Sequence, residues 1–341
     1  MKKPAFNELF FSHTYDYLNV FLTRQISRST NTVEAYTHCL SAFYDYIQKV
    51  KQINIMKFTF AACTYEVILS FTQYLHEEKG LSPSSVNQHL ATIKGYLSYV
   101  ADSDISQMQV YLSINRVPYL QVPKKIRTVL GKEELKALLA APDSSRTGCR
   151  DRLILILLFD TAIRAAELRR ITLEDISLNC SSPSILIHGK GRKERCVSLN
   201  ESTVNHLHGY LKMFHPDESD QTASLFYTVI NGRKGLMSER NIERIVKKYA
   251  DIVRRNGIEL PETVYPHMLR RSRATGLYRD GVPIEMISVI LGHSNSETTR
   301  SYAYPSPEQL RKSLKVDERD DEIDKLWDDK IDEMKSKFGL K

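Results

Sequence analysis

Residues 266–304 constrain this chain more than any other stretch. They read PHMLRRSRATGLYRDGVPIEMISVILGHSNSETTRSYAY, and their punctuation divides them into three short helices. Pro266 suits a first helical turn, where its missing N–H costs nothing. Gly281, just before Val282 and Pro283, is a natural stop. His267 and Arg270 are three residues apart, which puts them on one face of that first helix. A second short helix carries Ile284, Met286, Ile287, Val289, Ile290 and Leu291 and ends at Gly292-His293. Ser294 or Ser296 then caps a third, with Glu297 and Arg300 leading to Tyr302. Two imidazoles, an arginine and a tyrosine thus converge from consecutive short helices.

The chemistry open to such a set is narrow. Arginine holds a phosphate through a planar fork of donors, and histidine adds a donor or moves a proton. A tyrosine hydroxyl becomes a covalent nucleophile when it lies against an electrophile and a base. Without carboxylate metal ligands, the set points to attack on a phosphodiester inside an electrostatic cradle. The competing reading is a helical bundle with scattered polar residues.

Size and charge favour the first reading. A chain of 341 residues is long enough for two domains, and 42% hydrophobic with 26% charged residues is ordinary for a globular protein. No apolar run approaches a membrane span, and MKKPAFNELF lacks a signal-peptide core, so the expected location is cytoplasmic with no membrane partner. The five cysteines form no CxxC or Cys/His cluster, which argues for reduced thiols and no metal site. The net charge of +7 favours a polyanionic partner. Residues 127–305 hold 27 basic and 21 acidic residues, 1–126 hold 12 and 9, and 306–341 hold 9 and 11. The excess lies where a nucleic acid would lie, and the tail suits a protein partner.

In chain order, residues 12–105 read as a small four-helix domain. Tyr15, Leu18, Phe21 and Leu22 give one amphipathic segment, and Val33, Tyr36, Leu40, Phe43, Tyr44 and Ile47 a second. A third covers Tyr65 to Lys79, and Ser82-Pro83 opens a fourth bearing Val86, Leu90, Ile93, Leu97 and Val100. Lys94 and Arg28 are either phosphate contacts or solvated surface. Residues 106–126 lose periodicity and read as a linker whose Lys124-Lys125 end tracks a nucleic-acid backbone.

The second domain, 127–305, opens with a helix through Leu135, Leu138 and Leu139. LILILLFDTAIRAAELRRI then reads as one apolar helix with Arg164 near its end. An arginine in such a helix needs a partner, and Glu167, three residues on, is the structural candidate. Ser184–His188 and Glu194–Leu199 flank Gly189-Lys190-Gly191-Arg192-Lys193 as a β-hairpin whose basic tip suits a DNA groove or, blandly, solvent. It lacks the P-loop frame. His206, His208 and His215 resemble a metal site only weakly. Gly232-Arg233-Lys234-Gly235 reads as a turn before a helix through Ile242, Ile245, Val246 and Tyr249. The tail, 306–341, reads as a helix with Leu326, Trp327, Ile331, Met334 and Phe338 on one stripe, to be buried on its own domain or on a neighbouring subunit.

The ordered set Arg164, Lys190, His267, Arg270, His293 and Tyr302 resembles that of the tyrosine recombinases, the phage integrase family. TAIRAAEL is similar to the family's TGxRxxEL, and GKGRKER to its hairpin lysine motif. HMLRRSRAT resembles HxLRHxxAT, and LGHSNSETTRSY resembles LGHxxxxTTxxY with the tyrosine nine residues past the histidine. The resemblance covers residues 12–305, including a helical half similar to the family's core-binding domain. Two departures are visible: Ala162 replaces the usual glycine, and Arg271 stands where histidine is common. Tyr304 lies two residues past Tyr302, and on a helix only one of them faces the phosphate.

The resemblance implies a mainly α fold with a small β-hairpin or sheet, an α+β catalytic domain, in a two-domain C-shaped DNA clamp. It implies that Tyr302 attacks a DNA phosphate to give a 3′-phosphotyrosyl link. Arg164, Arg270 and His293 would bind the phosphate oxygens, His267 would accept a proton or bind phosphate, and Lys190, or else Lys193, would protonate the leaving 5′-oxygen. Glu167 would support the site, and Arg192, Lys193, Lys124, Lys125 and Lys94 would contact DNA. Neither ATP nor metal is needed. The implied partners are double-stranded recombination sites, a homo-tetramer assembled through the tail, and accessory DNA-bending proteins. The expected role is integration or excision of a mobile element. The alternatives are a Xer-like resolvase of chromosome or plasmid dimers, a topoisomerase-like enzyme, and a non-catalytic DNA-binding relative.

Overall fold

The computed structural model describes residues 4–26, 30–123, 128–189, 193–216 and 220–292, with Thr299 and Lys337. The chain divides into two compact units, Met1–Ile126 and Arg127–Lys341. Helix is the dominant element, with two small antiparallel sheets in the second unit.

Among its described residues the first unit has five α-helices, three of them continued by π-type turns. α1 begins as Thr14–Asp16 and continues over Tyr17–Gln25 with wider π-type bonding; α2, Thr30–Asp45, continues likewise over Tyr46–Val50. α3 is Tyr65–Gln73 with a similar extension, Tyr74–Glu78, and α4 is Pro83–Ser103. The expected start signal of α4 is present: Ser82 accepts from the Ser85 N–H at 3.2 Å and Pro83 occupies the first turn. Val86, Leu90, Ile93, Leu97 and Val100 are all buried along one side. They meet an aromatic core in which Phe10, Phe43, Phe58 and Phe71 are fully buried. Phe10 and Phe43 meet edge to face at 5.3 Å.

Residues 106–123 are not the aperiodic linker expected. They contain α5, Met108–Asn115, whose Ile114 is buried with Val117 against the same core. Asn87 of α4 then brackets Leu120, donating to its carbonyl and accepting from its N–H at 2.8 Å each. The helix is short and its apolar positions are few, so little of its periodicity shows in sequence.

The second unit is built around α7, Arg146–Asp160, whose Leu153–Leu158 run is buried throughout. α7 packs on α6 (Lys132–Ala140), α9 (Glu201–Phe214), α10 (Glu239–Arg255) and α11 (Pro266–Arg279). The apolar segment expected to run on as one helix breaks instead. α7 stops at Asp160, Ala162 takes φ +49°, and a separate short helix α8, Ala165–Leu168, begins with Arg164 as its N-cap. The left-handed turn at Ala162 explains the glycine of the TGxRxxEL pattern, because only glycine adopts that conformation without strain.

β1 (Ile176–Ser177), β2 (Ser184–His188) and β3 (Glu194–Ser198) form an antiparallel sheet in that order, with Ile185 opposite Val197 and His188 opposite Glu194. The β2–β3 hairpin is the one read from sequence. β4 (Tyr227–Ile230) and β5 (Arg233–Leu236) form a second hairpin. Its turn is Asn231-Gly232, both with positive φ, and Arg233–Leu236 is strand, not the turn expected there. α11 ends before Gly281 at φ +85°, and α12, Ile284–Leu291, ends at Gly292 in the left-handed conformation, both as the glycines demanded. No described helix is long and apolar enough to cross a membrane.

Candidate active site

The centre of the site is one carboxylate shared by two arginines. Glu167 on α8 is buried, and its Oε1 accepts from Arg164 at 2.7 Å. Its other oxygen accepts from the Arg164 backbone N–H at 3.1 Å and from Arg195 of β3 at 2.8 Å. Burial by itself would raise this carboxyl. The hydrogen bond and charge of Arg195, reinforced by the Arg164 backbone and guanidinium, hold it down at about 2. Glu167 is therefore an anion whose charge is outweighed by its two partners. The structural reading of Arg164 as a partner of Glu167 holds, and its side chain keeps 38% exposure, so the guanidinium still faces the surface.

Two arginines tie this pair to the end of α12. Arg195 Nε donates to the Ile290 carbonyl at 3.0 Å. Arg270 of α11, fully buried, donates one terminal nitrogen to the Ala162 carbonyl and the other to the Leu291 carbonyl at 2.6 Å. The Ile290 and Leu291 carbonyls belong to the last turn of α12, where backbone acceptors carry partial negative charge. The same guanidinium thus fixes the Ala162 bend, two residues before Arg164, and the helix end that leads into His293. Gly292 completes the fit: a Cβ there would approach the Arg195 guanidinium to 2.9 Å.

His267 sits one turn before Arg270 on α11 and is exposed. Arg271, where the resemblance expects histidine, is buried and donates to the Thr128 carbonyl at 3.1 Å and to the Tyr265 hydroxyl at 3.2 Å. It anchors the start of the unit. Lys193 is exposed, and its carbonyl accepts from the Gly189 N–H at 2.7 Å to close the hairpin loop. Lys190, Arg192, His293, Tyr302, Tyr304, Lys124, Lys125 and Arg28 lie outside the described residues, as do the tail's apolar positions.

One expected DNA contact is corrected. Lys94 is buried, and its ammonium donates to the Asn115 and Val117 carbonyls at 3.0 and 2.7 Å, beneath the Tyr119 ring at 4.3 Å. It caps the end of α5 and is neither phosphate contact nor solvated surface. The weak histidine grouping on α9 also dissolves: His215 is buried with Nε2 at 3.0 Å from the Leu225 carbonyl, and its spacing to His206 and His208 makes no ligand set.

Sequence reasoning missed two supports. Arg195 shares a strand face with buried Val197, and a charged residue on the buried face of a strand was the available signal. His188, at the foot of the hairpin, binds buried Asp175 through Nε2 at 2.7 Å and Glu194 through Nδ1 at 3.0 Å. The Asp175 bond, ahead of the Glu194 contact, raises its pKa. Asp175 comes from before β1, so nothing local announced the clamp.

The phage integrase family model matches residues 128–309, and the phage integrase SAM-like domain model matches residues 10–116. The tyrosine recombinase XerD of Staphylococcus epidermidis is 29% identical over 301 residues, 87% of this chain and 95% of that protein. XerD of Staphylococcus aureus is 28% identical, over 86% and 94%. Among solved structures, the XerH recombinase bound to its palindromic difH substrate aligns with a TM-score of 0.68 at 21% identity, over 84% of this chain and 80% of that one. The Tn1549 transposon integrase with circular-intermediate DNA aligns at 0.64 and 17% identity, over 91% and 99%. These structural likenesses extend the fold assignment across both units.

Proposed function

Because the chain belongs to the phage integrase family, the tyrosine recombinases, we propose that it cuts and rejoins specific DNA sites through Tyr302. The observation that carries the role of the site is the pairing of two guanidiniums with the single carboxylate of Glu167 at the end of α12. Such a site has a positive surplus fixed in place before any substrate arrives, and a phosphodiester entering a transition state supplies the missing negative charge.

In this reading residues 127–305 are the catalytic domain and 12–105 the core-binding domain, which α5 extends. The Tyr302 hydroxyl attacks the scissile phosphorus, losing its proton to His267. The bond to the 5′-oxygen breaks, and Lys190 protonates that oxygen, leaving a free 5′-hydroxyl and a 3′-phosphotyrosine. Arg164 and Arg270 bind the non-bridging oxygens, Arg270 by turning from the Ala162 and Leu291 carbonyls that hold it here, with His293 adding a donor. The phosphotyrosine conserves the bond energy, so a second strand's 5′-hydroxyl reverses the step without ATP. Arg192, Lys193, Lys124 and Lys125 meet the DNA backbone. Exchange between two duplexes needs four active sites, which the tail helix assembles by docking on neighbouring copies. If cleavage and synapsis survive deletion of residues 316–341, that role of the tail is wrong.

The setting proposed is integration or excision of a mobile element. Likeness to XerD along most of the chain supports a second setting, resolution of chromosome or plasmid dimers. Supercoiled plasmids carrying one or two copies of a candidate site test both the exchange and the setting. Products that require two sites identify a recombinase, whereas relaxation of a one-site plasmid identifies a topoisomerase. Activity on element ends but not on a chromosomal dimer site selects the first setting.

A further inference from the structure

Folding makes a cluster that the scattered cysteines concealed. His38 and Cys39 are neighbours on α2, and α4 packs against α2 and brings His89 to them. One ring nitrogen of each histidine and the Cys39 sulfur lie within 4.8 Å of one another, the one such grouping among the described residues. The imidazole rings of His38 and His89 are 5.9 Å apart, and Phe71 closes one side edge-on at 6.1 Å from His89.

His89 is the informative member. It is only 5% exposed, and its ring bonds the Cys39 backbone. Its Nδ1 is buried with no hydrogen-bond partner. Buried polar nitrogens are nearly always satisfied, so an orphan on a ring that lies beside a thiol and a second imidazole requires an explanation. A metal-binding histidine characteristically donates its other ring N–H to a backbone carbonyl, which leaves the facing nitrogen with a lone pair. Cys39, also buried, has its sulfur within hydrogen-bond range of Thr92. His38 is exposed and gives the cluster a mouth to solvent.

We propose that His38, Cys39 and His89 form a binding site for a thiophilic divalent cation of the Zn²⁺ class, with an open fourth position toward solvent. Two nitrogens and one sulfur match the ligand preference of Zn²⁺, and atoms within 4.8 Å of one another need only small side-chain rotations to close around one ion. Binding expels the Cys39 thiol proton and takes a ring-nitrogen lone pair from each histidine, so affinity falls with acid. The ion would cross-link α2 to α4 within the first unit. It belongs to the architecture of that unit and is independent of the chemistry proposed for Tyr302.

The full-length chain, stripped by chelator, is titrated with Zn²⁺ and separately with Co²⁺. The expected results are roughly one tight equivalent of Zn²⁺, a rise in the melting temperature of the first unit, and a thiolate-to-cobalt charge-transfer band. Cys39→Ser should remove the band. His38→Gln, at an exposed position that leaves the core intact, should weaken Zn²⁺ binding by at least about tenfold, the loss that even an outer-shell partner can cause. Absence of tight Zn²⁺ binding would overturn the proposal. So would full binding in both variants, which would assign the metal to other groups such as the exposed Cys180 and Cys196 thiols.

Discussion

The two units each bury cations, and they bury them differently. In the first, the Lys94 ammonium is spent inside the fold, on two carbonyls at the end of α5 and the face of Tyr119. In the second, Arg164 and Arg195 crowd onto one carboxylate, and Arg195 and Arg270 reach the last carbonyls of α12. With Arg164 part exposed at the rim, that positive surplus is what the proposed phosphate-binding role would use. Lys94 holds its own unit together, and on the proposed reading Arg164 is left to meet a substrate.

The sharpest way to break that contrast is to remove Arg164. Arg164→Ala should lower single-turnover cleavage by about 10²- to 10³-fold while DNA affinity changes little, and Arg164→Lys should not restore it, because an ammonium lacks the planar fork. Rapid-quench cleavage assays on nicked substrate read this directly. Equal activity in the alanine variant would reduce Arg164 to the structural partner of Glu167.

Arg195→Ala should act on the fold as well as the rate. It leaves Glu167 with one partner and frees the Ile290 carbonyl, a loss of about 3 kcal/mol for a broken buried pair, confined to the second unit's melting transition. The pH dependence has a definite sign. The folded Glu167 carboxyl titrates at about 2, below its unfolded value, so its contribution is complete above about pH 5. It is lost as the pH falls toward 2, and the second unit should lose more stability than the first across that window. His188 works in the opposite direction: its pKa is raised, so the hairpin clamp is fully made below its ordinary pKa. That clamp weakens as the pH rises through the raised value, which an NMR titration of the ring would follow.

Lys94→Met tests the other half of the contrast. It should destabilise the first unit by about 1–3 kcal/mol, the cost of carbonyls left without a donor, without altering how DNA affinity falls with salt. A reduced salt slope would return Lys94 to the DNA surface. The smallest effect is expected at the bend. Ala162→Gly relieves a left-handed alanine and should stabilise the second unit by about 0.5–1 kcal/mol in thermal unfolding.

What the sequence disclosed and concealed follows the range of the interactions involved. Ser82-Pro83, the Gly281 and Gly292 stops and the β2–β3 hairpin were legible because each is specified by a few neighbouring residues. The pairing of Arg164 with Glu167 was legible for the same reason, one turn of chain. α5 was hidden because its burial depends on α4, and the break at Ala162 because alanine is a good helix former unless its carbonyl is claimed from outside, here by Arg270. Arg195, the His188 clamp and the meeting of His38–Cys39 with His89 are contacts between distant segments. Lys94 misled because a lysine reads as surface, and nothing local shows that two carbonyls wait for it.

The most direct test is covalent trapping on nicked suicide DNA from the flanks of the gene, in EDTA, with wild type, Tyr302→Phe and Tyr304→Phe. The account requires a protein–DNA adduct in wild type and Tyr304→Phe and none in Tyr302→Phe. An adduct that survives Tyr302→Phe and disappears in Tyr304→Phe would contradict the assignment of the nucleophile. No adduct from any of the three, despite tight specific binding, would contradict catalysis by this chain on that DNA.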